Sequence, residues 1–314
     1  MSFYSPTQLG RLAGSCYLFL GHPERAEPLL DATAKALHSR HKTRSLVLGN
    51  LALAYLRQRQ REATTATLHE AIEDVSMPTG PDAKQAIRQR VWDRLWQEGA
   101  NMDHHGRIPD FVGATASADR LATLPVWQKA HVLKANPDQA QLPVRARALR
   151  EGKLVYMAVP KLADPLPFFR LDPAELGGES ETIAAHRTAA TAAPKVAVSD
   201  MHTIDLIVCG SVAVNRDGVR IGKGAGYSDI EVGLLAEAAL IGPPTTIVTT
   251  VHQLQVLDES LPHDEHDFTV DYIITPEEII HCGPPHRPTG VMWTALDRDK
   301  ITAIPVLAAM ANKR

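Results

Sequence analysis

Ile204-Asp205-Leu206-Ile207-Val208-Cys209 and Thr245-Thr246-Ile247-Val248-Thr249-Thr250-Val251 are two short, apolar runs rich in β-branched residues, the composition of buried strands. Between them, residues 229–240 repeat apolar side chains at helical spacing. A strand, a helix and a second strand in that order read as one parallel unit. Working outward, residues 154–159 and 272–275 supply further strand-like runs, and residues 82–97 a helix. Strands alternating with helices predict an α/β fold, a mainly parallel sheet with helices on both faces. Residues 177–200, rich in Gly, Ser, Thr and Ala, read as a surface excursion.

Towards the N-terminus the period changes. Residues 1–76 repeat apolar side chains at three- and four-residue spacing, as in Leu9, Leu12, Ala13, Cys16 and Leu20, and predict four helices. The breaks fall at Gly21-His22-Pro23, at residues 39–43 and at residues 57–61. Cys16-Tyr17-Leu18 with Ala26 is echoed by Ala54-Tyr55-Leu56 with Ala63. Tetratricopeptide repeats have a helix-turn-helix period of about 34 residues, and this stretch resembles two degenerate copies. A generic pair of helical hairpins reads the same way. Both readings give a small all-α module that binds a protein partner or its own chain. Met77-Pro78-Thr79-Gly80-Pro81 is a cluster of helix breakers. The expected division is therefore a helical module over residues 1–79 and an α/β domain over residues 82–314.

Composition narrows the classes. The chain has 314 residues, 44% apolar and 22% charged, which excludes disorder along its whole length. A net charge of −3 gives no electrostatic footprint for nucleic acid. No apolar run reaches the roughly 18 residues of a membrane span. The opening Met-Ser-Phe-Tyr-Ser-Pro has no basic or apolar leader character. Cys16, Cys209 and Cys282 are an odd number and far apart. A reduced, cytoplasmic protein is the expectation.

The chemistry concentrates in Arg220-Ile221-Gly222-Lys223-Gly224-Ala225-Gly226-Tyr227-Ser228-Asp229. Alternate glycines let a backbone approach a ligand and turn its N–H groups inward, and a helix start beyond them adds partial positive charge. Arg220 and Lys223 add full charges. In physical terms this is a phosphate cradle. Its G-x-G-x-G spacing is neither the dinucleotide G-x-G-x-x-G nor a P-loop. Lys84 and Arg88, at i and i+4, project from one helix face. Asp229 and Asp271 are carboxylates at a helix start and a strand start, suited to Mg²⁺, a hard cation that prefers oxygen.

These residues resemble the 5-formyltetrahydrofolate cyclo-ligase family. That family carries a Lys/Arg pair on an early helix, an R-x-G-x-G-x-G-Y-Y-D turn and a late H-D-x-x-x-D segment. Here they correspond to Lys84 with Arg88, to residues 220–229, and to His266-Asp267-Phe268-Thr269-Val270-Asp271. The divergent branch of methenyltetrahydrofolate synthetase domain-containing proteins is similar in further motifs. These include Lys134-Ala135-Asn136-Pro137-Asp138, Gly210-Ser211-Val212-Ala213-Val214 and Pro288-Thr289-Gly290-Val291-Met292-Trp293. The resemblance spans about residues 84–308.

It implies a three-layer α/β/α fold, ATP and Mg²⁺. It also implies an activity: ATP phosphorylates the formyl oxygen of 5-formyltetrahydrofolate, a neighbouring nitrogen attacks, and phosphate leaves to give 5,10-methenyltetrahydrofolate. Phosphoryl transfer asks a protein mainly to position groups and neutralise charge. Carried over, Lys84 and Arg88 hold phosphates. Arg220, Ile221, Gly222, Lys223, Gly224, Ala225, Gly226, Tyr227 and Ser228 wrap the nucleotide. Lys223 and Tyr227 stand next to the reacting group, and Asp229 and Asp271 bind Mg²⁺. Three departures stand out. Ser228 replaces a second Tyr, Ala225 replaces Lys or Gly, and Lys223 replaces Arg, whose fork suits phosphate better. Nothing reads as the R-G-F-x-F of an RNA-recognition module.

Two functions follow. One is an ATP- and Mg²⁺-dependent ligase acting on a folate or another carbonyl compound. The other is a catalytically inactive nucleotide- or folate-binding regulatory protein joined to a protein-interaction module. His104-His105, His263 with His266, and His281-Cys282 with His286 lack the second ligand pair that zinc needs. No G-x-S-x-G nucleophile elbow is present.

Overall fold

The computed structural model describes residues 6–37, 41–76, 81–101 and 105–312. Most of the breaker cluster, residues 77–80, together with Ser39 and His104, lies outside them. The chain separates into two compact units, Met1–Ala83 and Lys84–Arg314.

The first unit is helical: α1 (Pro6–Phe19), α2 (Pro23–Ala36), α3 (His41–Arg57) and α4 (Arg61–Ser76). Gly21 turns the chain with φ 84°, and Pro23, whose missing N–H costs nothing at a helix start, opens α2. α3 begins at His41, inside the break expected at residues 39–43. Leu18, Ala26, Leu30, Leu48, Leu51 and Ala54 form the core. Gly14 lets α1 approach α2, since a Cβ there would lie 2.7 Å from the Leu30 side chain. Phe19 is 92% exposed and Leu20 70%.

The division falls in the first turn of α5 (Pro81–Gln97), and the second unit continues with α6 (Ala114–Ala122), α7 (Pro125–Lys129), β1 (Val132–Ala135) and α8 (Leu142–Arg150). Then come β2 (Leu154–Ala158), β3 (Phe168–Leu171), α9 (Ser180–Ala184), α10 (His186–Ala192), β4 (Lys195–Val196), β5 (Leu206–Cys209), β6 (Ala213–Asn215) and β7 (Arg220–Ile221). The remainder is α11 (Tyr227–Glu237), β8 (Thr246–Thr250), β9 (Val256–Leu257), β10 (Tyr272–Ile274), β11 (Ile279–His281), α12 (Arg298–Ala303) and α13 (Pro305–Ala311).

Eight strands form one sheet in the order β11-β10-β8-β5-β1-β2-β3-β4. The run β10-β8-β5-β1-β2 is parallel throughout, and the pairings that involve β11, β3 and β4 are antiparallel. Register follows the alternation of buried faces: Leu133 lies opposite Leu206, and Leu206 opposite Thr246. One face packs Ile207, Ile247 and Ile273 against Ile230, Leu234 and Leu235 of α11 and Leu307 of α13. The other packs Leu133, Val155, Val208 and Val248 against Leu121, Val144, Leu149 and Ile183 of α6, α8 and α9. This is the expected three-layer, mainly parallel α/β/α arrangement. A small sheet, β7-β6-β9, holds the strand just before the glycine turn. No described helix is long and apolar enough to cross a membrane.

The region expected as a surface excursion is part of the fold instead. Ile183, Ala184 and Ala189 are buried, and β4 extends the sheet. The Ala and Ile of this stretch cover one sheet face, which its small, polar composition conceals.

Candidate functional site

β7 delivers Arg220 and Ile221 into the turn, and the turn runs directly into α11. Gly224 and Gly226 take φ of 98° and 70°, a left-handed conformation that a side chain with a Cβ rarely adopts. Gly226 is the N-cap of α11, and no side chain caps this end. The first N–H groups of the helix are therefore left to the turn, as an anion site requires.

Several charged groups around the turn are paired. Arg220, with a side chain 3% exposed, donates to Oδ1 of Asp229 at 3.1 Å and stacks over the Phe268 ring at 4.4 Å. Its Nε is buried and has no protein partner. Burial acts to lower the Arg220 pKa, but the Asp229 carboxylate together with other negative groups, Asp267 among them, holds it above the usual value. Burial likewise raises the Asp229 pKa; Arg220 opposes that rise, and Asp267 adds to it by like-charge repulsion. Lys223 reaches Oδ1 of Asp138 at 3.0 Å, in the loop after β1. Ser228 accepts from the Asn136 amide at 3.1 Å.

α5 brings both of its expected cations to this place. Arg88 donates through Nε to the Gly222 carbonyl at 2.7 Å, and its guanidinium lies against Gly224. Burial lowers its pKa. Lys84 reaches Asp264 at 2.9 Å and Asp267 at 2.5 Å. Burial opposes the Lys84 charge, but the two carboxylates hold its pKa above the usual value. Burial would raise the Asp267 pKa, yet Lys84 keeps it below the carboxylate range.

The expected pair Asp229 and Asp271 is not brought onto shared partners. Asp271 Oδ2 accepts from the backbone N–H of Ile247 at 2.6 Å and from Arg287 at 2.5 Å. The carboxylate that acts on Asp229 is Asp267, with His266 and Lys84 beside it. Asp264, His266 and Asp267 hold their ligand atoms within 4.8 Å of one another. Lys84 already bridges the two acids of that group. Asp229 and Asp267 are both oxygen donors of the kind a hard cation prefers. Arg220 engages Asp229 through Oδ1, and Lys84 with the Asp264 N–H engages Asp267 through Oδ2. Oδ1 of Asp267 lies outside those hydrogen bonds and faces His266 Nε2 at 3.6 Å.

Several residues behind the turn went unassigned in the sequence. Lys134 on the central strand β1 is 1% exposed and pairs with Glu231 of α11 and with Asn136. Arg145 is buried and donates to the carbonyls of Asn136 and Asp138, bracing the loop that meets Lys223 and Ser228. Burial lowers its pKa to about 10. A lysine inside a strand and a glutamate inside an apolar helix were the available signals for the first pair. A cleft of about 210 Å³ opens at the turn, floored by Gly224, Ala225, Gly226, Asp229 and His266, with residues 290–300 as its far wall.

An α/β sheet whose glycine turn enters a helix start among buried arginines can receive an anion. A family model for 5-formyltetrahydrofolate cyclo-ligases matches residues 81–276, and the chain belongs to that family. Methenyltetrahydrofolate synthase domain-containing protein of Mus musculus is 37% identical over 244 residues, 74% of this chain and 64% of that protein. The protein of the same name from Homo sapiens is 32% identical over 243 residues, 73% of this chain and 61% of that protein. The chain thus spans less than two thirds of either relative. A 5-formyltetrahydrofolate cyclo-ligase from Mycolicibacterium smegmatis matches over 73 residues at 32% identity, 23% of this chain and 34% of that protein. Among solved structures, a 5,10-methenyltetrahydrofolate synthetase from Aquifex aeolicus aligns with a TM-score of 0.42 and 18% identity, covering 64% of this chain and 93% of that one.

Proposed function

We propose that the chain is an ATP- and Mg²⁺-dependent ligase that activates the formyl oxygen of 5-formyltetrahydrofolate, or the carbonyl of a related compound, by phosphorylation. The observation that carries this reading is the buried Arg220 at the glycine turn, with an Nε that no protein atom satisfies. A buried, unmatched donor beside a helix start calls for an anion from outside the chain.

Residue roles follow from placement. Arg88 and Arg220 hold the turn and face phosphate oxygens. The N–H groups of residues 224–228 cradle them. Lys223 and Tyr227 flank the reacting group. Lys223 is drawn toward Asp138 until a more negative group competes for it. Asp229 and Asp267 would hold Mg²⁺, which would neutralise charge on the phosphates. Asp271 is left out of that set because Arg287 and Ile247 occupy it.

A second reading, nucleotide binding without catalysis, is favoured by Lys84. Its ammonium already sits between Asp264 and Asp267, where a metal would compete with it. One assay separates the two. Purified chain with Mg·ATP and 5-formyltetrahydrofolate is followed for methenyl absorbance and ADP release together. Both signals support the ligase, ADP alone points to another carbonyl substrate, and neither signal alongside measurable nucleotide binding supports the second reading.

A further inference from the structure

The far wall of the cleft comes from residues 290–300, beyond the 81–276 stretch that the family model matches. This wall is fastened to α11. Gly233 sits inside that helix, where glycine is less favourable than alanine. A Cβ there would lie 3.0 Å from the Gly290 carbonyl oxygen, so the glycine admits the backbone of the wall. Glu237 of α11 then accepts the Val291 N–H at 3.1 Å.

From this wall Lys300 reaches over the glycine turn. Its Nζ donates to the Ala225 carbonyl at 2.7 Å and stands 3.9 Å from the centre of the Tyr227 ring. Neither partner carries a full charge. The contrast with its neighbours is direct. Among the described residues, Lys84 is matched by Asp264 and Asp267, Arg220 by Asp229, Lys223 by Asp138 and Lys134 by Glu231, while Arg88, buried under the turn, has the neutral partners Gly222 and Gln85. Lys300 lines the cleft with no carboxylate paired to it. An ammonium has three donors, and the carbonyl takes one of them. An unmatched cation on a concave surface, oriented by a ring and a carbonyl, is placed to meet charge that arrives with a ligand.

We propose that Lys300 is a specificity-determining residue, a cation supplied by the C-terminal wall that binds an anionic oxygen group of the ligand at the glycine turn. The proposal deepens the ligase reading and rests on it for the ligand's identity. The anionic group has two sources, a phosphate of the nucleotide or a carboxylate of the folate.

The test titrates the full chain and its Lys300→Met, Lys300→Gln and Lys300→Arg variants by calorimetry, with circular dichroism to verify the fold. The titrants are a non-hydrolysable ATP analogue with Mg²⁺, 5-formyltetrahydrofolate, and inorganic tripolyphosphate. Removing a charged hydrogen bond should weaken at least one ligand by about tenfold or more in Met and Gln, and Arg should restore most of it. Loss confined to the ATP analogue and tripolyphosphate assigns phosphate; loss confined to the folate assigns carboxylate. Glutamine keeps a donor for the Ala225 carbonyl but has no charge. Wild-type binding by Lys300→Gln would show a neutral strut and overturn the proposal, as would wild-type binding by Lys300→Met. If wild type binds only tripolyphosphate, and does so through Lys300, the cation stands and the ligase reading falls. If the ATP analogue binds wild type and every variant equally and the folate does likewise, the ligase reading stands and the cation falls. Binding of none of the three overturns both.

Discussion

Replacing Asp271 by Asn should cost stability rather than nucleotide affinity. Its Oδ2 accepts the Ile247 N–H at 2.6 Å and the Arg287 guanidinium at 2.5 Å, with the two side chains 18% and 25% exposed. A hydrogen bond to a charged group contributes about 1.5–3 kcal/mol. Breaking a fully buried pair costs about 3–5 kcal/mol. Partial exposure screens this pair and puts the loss near the lower figure, about 2 kcal/mol. At roughly 2–4 °C per kcal/mol for a domain of this size, the midpoint should fall by about 4–8 °C. Asp267→Asn should do something different. It removes the charge facing both Lys84 and Asp229 and should weaken Mg·nucleotide binding by about tenfold or more, as expected when a hard cation loses a charged ligand. Thermal melts of both variants, with titration of a non-hydrolysable ATP analogue in Mg²⁺, read the two effects separately. A folded Asp271→Asn that melts within about 1 °C of wild type yet loses nucleotide would refute this assignment and restore Asp271 to the metal site.

Gly224→Val should abolish binding of the ATP analogue. The residue would hold φ 98° and place a Cβ 3.2 Å from the Arg88 guanidinium carbon, with left-handed strain of about 1–2 kcal/mol before any ligand is met. Lys223→Ala should weaken binding less, and Lys223→Arg should be tolerated, because the guanidinium fork suits phosphate; calorimetry ranks the three. Burial lowers the His263 pKa to about 4, while the unfolded chain keeps about 6.5. The unfolded state therefore binds the proton first, so stability is intact above pH 6.5 and is lost as pH falls toward 4. Chemical denaturation across that window should show the slope, and His263→Phe, which cannot protonate, should flatten it. Limited proteolysis should cut in residues 77–80 and leave a stable fragment beginning near Pro81. Unfolding of that fragment would mean that the first helices share its core.

The parallel unit was legible because its strands, β5 and β8, are continuous runs of apolar and β-branched residues and α11 sits between them. The central strand β1 was not, although every parallel neighbour depends on it. Val132-Leu133-Lys134-Ala135 carries a charge in its middle, and apolar periodicity counts that charge against a buried strand. Glu231 supplies the missing half 97 residues away, a match that no local pattern contains. The glycine turn was legible for the opposite reason. Its chemistry is local, and its positive φ values demand glycine at fixed positions. The sequence offers Asp229 and Asp271 as a Mg²⁺ pair because both stand at the start of regular elements. Asp267 is proposed in place of Asp271 because of Arg287, whose hydrogen bond to Asp271 has no sequence signature.

The buried Lys134–Glu231 pair links these two kinds of information. An ion pair inside a protein often gives little net stability, because desolvation consumes the attraction. What it fixes here is position. Lys134 ties β1 to α11 through Glu231 and holds Asn136 at the same time. Asn136 in turn meets Ser228 in the first turn of α11, and Arg145 braces the loop from behind. The start of α11, where an anion would sit, is thus set by polar contacts to the central strand, while apolar packing along Ile230, Leu234 and Leu235 holds the rest of the helix. Apolar contacts tolerate small slides, whereas hydrogen bonds and ion pairs require defined distances. Placing the polar contacts at the ligand end of α11 fixes the cradle where a small displacement would matter most.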